Sequence, residues 1–71
     1  MNDAQTRKHS VVIAGHHTSL SVEEAFWRGL KEIAERQDVS INKLVTKIDE
    51  TRSGNLSSAV RVFVLNNASK N

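Results

Sequence analysis

Polar and apolar positions alternate over His17-Thr18-Ser19-Leu20-Ser21-Val22, with Thr18, Leu20 and Val22 on one side. Period two predicts a half-buried strand. Upstream, residues 10–14 are rich in β-branched side chains and also suit a strand. The period then changes. Phe26, Leu30, Ile33 and Ala34 fall at i, i+4, i+7 and i+8, one stripe of a helix. Ser21-Val22-Glu23-Glu24 has the spacing of a capping box and predicts the start of that helix. After a short break at Asp38-Val39, Ser40 is an N-cap candidate. Ile41, Leu44, Val45 and Ile48 form the next stripe, and Gly54 is the expected helix stop. Leu56, Ala59, Val60 and Phe63 fit a short third helix capped by Ser57-Ser58, although Val60 to Leu65 also has strand propensity. The chain thus divides into a flexible polar, basic arm (1–9), a folded domain (10–65) and a polar tail (66–71).

Residues 10–16 admit two readings. Gly15 at the first central position of a two-residue turn suits a type II′ hairpin, which would fold 10–14 back as a second strand. Alternatively, Gly15 is a bulge in one long strand. The long strand or arm is the favoured reading, and the hairpin stays open.

Length limits what these elements can do. Seventy-one residues make one domain with a small core. Such a core needs a staple or a partner. With no Cys, disulfides and Cys-based zinc sites are excluded, which leaves oligomerisation. The net charge is +2 and the pI about 9.4, compatible with nucleic acid without being diagnostic. Aromatic residues are 4% of the chain, too few for a base-stacking platform. The apolar run Val11-Val12-Ile13-Ala14 is too short for a signal peptide or a membrane span, so a soluble cytoplasmic protein is expected.

A lone strand followed by helices has two unpaired edges. A twofold homodimer in which the strand pairs antiparallel with its copy is the economical solution. The outward residues would then be His17, Ser19 and Ser21, on a two-stranded ribbon of the kind that fits the major groove of DNA. Over about residues 17–52 the chain resembles the ribbon-helix-helix, or MetJ/Arc, superfamily of DNA-binding proteins. It is also similar to a bacterial subfamily with the text Gly-His-x-Thr-Ser, Phe-Trp and Asn-Leu-Ser-Ser-Ala. Here these stand as Gly15-His16-His17-Thr18-Ser19, Phe26-Trp27 and Asn55-Leu56-Ser57-Ser58-Ala59. Asp38 replaces the Gly usual at the break, and Asp tolerates a left-handed backbone.

The resemblance implies a mainly α fold with a short N-terminal strand: a ribbon-helix-helix dimer, its antiparallel β-ribbon intermolecular, plus a short C-terminal helix. It implies that His17, Ser19 and Ser21 read bases of double-stranded DNA. It further implies that Ser40, Ile41, Asn42 and Lys43 clamp a phosphate at the second helix's N-terminus, a position that attracts anions on physical grounds too. His and Ser make weaker base contacts than the usual Arg, Lys, Asn or Gln. Arg7, Lys8 and His9 are therefore candidate contacts from the arm.

The plainer readings exclude several chemistries. His16 and His17 point to opposite faces of a strand and do not readily share a metal ion. The serines form no nucleophile motif, so no enzyme and no cofactor is expected. Trp27 is expected under the third helix near Val60 or Phe63, with a protein partner at Trp27 or that helix as an alternative. The function expected is a bacterial transcription repressor. The alternative is an interaction module such as an antitoxin or a plasmid or phage accessory factor. The short polar stretch after Leu65 counts against an antitoxin's toxin-binding tail.

Overall fold

Ala14 and Gly15 both take positive φ, 51° and 82°. Two such residues in succession form a type I′ turn, whose twist matches the strands it joins. In this computed structural model, which describes residues 4–68, the turn connects β1 (Thr6–Ile13) to β2 (His16–Glu23). The strands pair antiparallel from Ile13 opposite His16 to Thr6 opposite Glu23.

This hairpin overturns the favoured long strand or arm. Thr6, Arg7, Lys8 and His9 belong to β1, so residues 6–9 are not an arm, and residues 1–3 lie outside the described residues. The turn is also framed one residue earlier than expected. Gly15 takes the second central position, which in a type I′ turn has the larger positive φ, and Ala14 takes the first. The antiparallel ribbon is present, but both strands come from one chain. The argument that the strand lacks a partner within the chain therefore fails.

Three helices follow: α1 (Glu24–Gln37), α2 (Ile41–Thr51) and α3 (Leu56–Ala68). They cover one face of the hairpin. That face contributes Val11, Leu20 and Val22 to the core. Leu30, Ile33 and Ala34 come from α1, Leu44, Val45 and Ile48 from α2, and Val60 and Val64 from α3. Burying one such Leu or Val side chain stabilises by about 1.5–3 kcal/mol. Both predicted stripes supply these residues, with Phe26 and Ile41 only half-buried at their ends.

The helix ends depart from expectation in four places. Glu23, not Ser21, is the N-cap of α1, and its side chain makes no capping bond. The hairpin keeps Ser21 extended in β2, so the capping box does not form. Arg52 in extended conformation closes α2, two residues before Gly54. Asn55 caps α3 by accepting the Ser58 N–H at 2.8 Å, while Ser57 reaches back to β2. The third helix runs to Ala68, into the expected tail. At the α1–α2 break, Asp38 is left-handed, with φ 56° and ψ 44°. Val39 N–H bonds the Ala34 carbonyl and Asp38 N–H the Glu35 carbonyl, the two bonds of a Schellman motif.

Candidate nucleic-acid interface

Side chains alternate across a strand. Since Val11, Leu20 and Val22 face the helices, the neighbouring residues face outward. On β2 these are His17, Ser19, Ser21 and Glu23, the first two exposed and the last two half-buried. On β1 they are Thr6, Lys8, Ser10 and Val12, of which Val12 is half-buried. Ser19 lies opposite Ser10, Ser21 opposite Lys8, and His17 opposite Val12. All three sequence-predicted ribbon residues thus share one outward face. β1 adds a second row beside them, which the sequence suggested only through the less favoured hairpin over residues 10–14. The signal was present as Ala14-Gly15, but it requires an Ala at positive φ, which is uncommon outside Gly, Asn and Asp.

The hairpin's edges are held by the helices. Val12 N–H donates to Asn42 Oδ1 at 3.0 Å on the β1 side. Ser57 Oγ donates to the Ser21 carbonyl at 2.8 Å on the β2 side. Arg61 on α3 grips the Glu23 carboxylate, Nε to Oε1 at 2.7 Å and Nη2 to Oε2 at 3.3 Å. Arg61's hydrogen bond, with help from the Glu23 backbone N–H, holds this carboxyl below its ordinary pKa.

The start of α2 sits beside the hairpin tip through that Asn42 bond. Ser40 is its N-cap, and its Oγ accepts the Lys43 N–H at 3.1 Å. Leu44 N–H bonds the Ser40 carbonyl, which leaves the Ile41 and Asn42 N–H groups pointing out of the helix. Asn42 uses its carbonyl oxygen on Val12 and keeps its amide NH2 as a donor. The Lys43 residue is exposed. Structure thus brings Ser40, Ile41, Asn42 and Lys43 together at one helix start.

Arg7, Lys8 and His9 do not act as a group. Lys8 faces outward, whereas Arg7 and His9 lie on the helix side of β1. His9 Nε2 is 2.7 Å from Glu24 Oε2. Its ring stacks on Trp27, with centroids 3.9 Å apart and planes 7° from parallel. Trp27, expected beneath α3 near Val60 or Phe63, stacks on His9 of β1 and packs at the edge of the core. His9 ties the strand to α1 and is not an arm contact.

Residues 6–68 match the family model described as ribbon-helix-helix domain. The chain belongs to the ribbon-helix-helix family. Ribbon-helix-helix domains are generally DNA-binding modules of transcription regulators and antitoxins, and not enzymes. No curated protein and no solved structure matches the chain. Among the described residues of this ribbon-helix-helix protein, no helix is long and apolar enough to cross a membrane.

Proposed function

We propose that the chain is a sequence-specific double-stranded DNA-binding protein, a bacterial, cytoplasmic transcription regulator that acts as a repressor and works as a homodimer. One observation carries this reading: the hairpin turns an uncovered face with His17, Ser19 and Ser21 away from the helices. A two-stranded ribbon fits a major groove about 12 Å wide. In this reading the three residues meet base edges. Ser40, Ile41, Asn42 and Lys43 hold a phosphate by backbone N–H groups, the helix dipole and the lysine charge.

A second reading, an interaction module such as an antitoxin or accessory factor, draws on α3. Val62 and Leu65 are 56% and 59% exposed there. Trp27 supports it less, because its ring is stacked on His9.

Gel shifts on random and selected duplexes across a salt series separate the two. A DNA binder loses affinity steeply with salt, and a pure interaction module shows no shift. His17→Ala should relax the preferred sequence at one position per half-site, at a cost of about 1–3 kcal/mol. Lys43→Ala should weaken all sequences alike and lower the salt slope by about one. Absence of binding by the wild type rejects the reading. Sequence-neutral loss in His17→Ala, with altered preference in Lys43→Ala, reverses the two roles.

A further inference from the structure

We propose that Lys8, on β1, contacts the DNA backbone from the same face that carries His17, Ser19 and Ser21. This inference rests on the DNA-binding reading above. The pairing register puts Lys8 directly opposite Ser21, with Ser10 opposite Ser19 beside it. Lys8 is the one Lys or Arg on that face of the hairpin, while Arg7 next to it lies on the helix side.

Charge supports the assignment. The face has one carboxylate, Glu23, two positions from Ser21 along β2. Arg61 engages both of its oxygens from behind, so its negative charge is balanced before DNA arrives. The Lys8 ammonium is left as the net charge of the face, and it attracts phosphate.

Geometry favours phosphate over a base edge. In the proposed homodimer, two hairpins joined along β2 would make four strands spaced about 4.8 Å apart, about 14 Å between the outer pair. The major groove is about 12 Å wide. The β2 pair then enters the groove, and each β1 lies over a flanking backbone. A flexible lysine with a compact charge suits that place, and needs no fixed bidentate geometry.

The test is fluorescence anisotropy of a labelled duplex over a salt series, with the wild type, K8Q, K8R, R7Q and H17A, each checked for folding by circular dichroism. K8Q should lower the salt slope by about 0.9 for each chain in contact. Its deficit relative to wild type should then be about 3.5-fold greater at 50 mM than at 200 mM salt, per contact, and equal for all sequences. K8R should restore the slope, and R7Q should leave it unchanged. An unchanged slope in K8Q, or equal loss in K8Q and R7Q, overturns the proposal. If H17A loses its preferred sequence while K8Q binds like wild type, the DNA reading stands and the Lys8 assignment falls. If the wild type binds no duplex, both fall.

Discussion

Glu23 ends β2, caps α1 by position and pairs with Arg61 on α3. One carboxylate therefore ties β2 and α1, which adjoin in sequence, to α3, which does not. Because Arg61 holds its pKa below the ordinary carboxyl value, the ionised form is favoured by folding. The sign follows from that direction. Glu23 contributes stability above the ordinary carboxyl range, and the contribution is lost as pH falls through its lowered folded value. Glu23→Gln should thus melt below wild type at neutral pH, and the gap should narrow as acid protonates the folded carboxylate, below the ordinary carboxyl range. Thermal melts over a pH series check this, and a gap that stays constant with pH would show that the ion pair does not supply it. His9 is a second residue whose partners redefine it. Basic residues near a chain start read as an arm, but its bond to Glu24 and stack on Trp27 hold it against α1.

At the scale of elements, Gly29 decides how closely α3 approaches α1. A Cβ at Gly29 would meet Val64 Cγ1 at 2.7 Å, inside van der Waals contact. Val64 is nearly buried and β-branched, so it has little freedom to move aside. Gly29→Ala would gain about 1 kcal/mol of helix propensity. Overpacking costs about 1–3 kcal/mol, so the variant should be destabilised by about 1 kcal/mol in denaturant titration. A more stable Gly29→Ala protein would mean that the two helices separate easily. Nothing in the sequence marks this glycine, because its role depends on a residue 35 positions away. The same holds for the α3 cap, which falls to Asn55 while Ser57, expected to cap, bonds the Ser21 carbonyl. Local signals were legible where they were self-contained. The stripes of α1 and α2 report their own buried faces, and Asp38 supplies the left-handed residue of the break. The outward positions of β2 were legible for the same reason, since alternation fixes them whatever strand lies alongside. The hairpin was legible only as the less favoured alternative, framed on Gly15 and His16, since the turn that forms needs Ala14 to accept a positive φ.

For the whole molecule, the hairpin changes where a second copy could join. A two-residue turn makes Ile13 and His16 the first hydrogen-bonded pair, so pairing alternates from there. The backbone groups of Val12, Ser10 and Lys8 on β1, and of His17, Ser19 and Ser21 on β2, therefore point away from the other strand. The Val12–Asn42 and Ser21–Ser57 bonds agree with this alternation. Asn42 occupies the end of the β1 edge nearest α2, while the His17 and Ser19 groups of β2 are left for water or for another strand. Open edges invite pairing, and a twofold pairing of β2 with its copy would satisfy both. Proline at Ser19 would remove the outward N–H without breaking a β1–β2 bond, since proline is tolerated where its missing donor faces solvent. If the proposed dimer forms in this way, Ser19→Pro should sediment as a folded monomer, while Ser10→Pro on the opposite edge should stay dimeric. The wild type should also melt at a temperature that rises with protein concentration. A dimeric Ser19→Pro protein would move the contact off the ribbon, and the exposed Val62 and Leu65 on α3 would be the next surface to vary. A wild type that sediments as a monomer at low micromolar concentration would remove the dimer from the account and leave each hairpin to enter a groove alone.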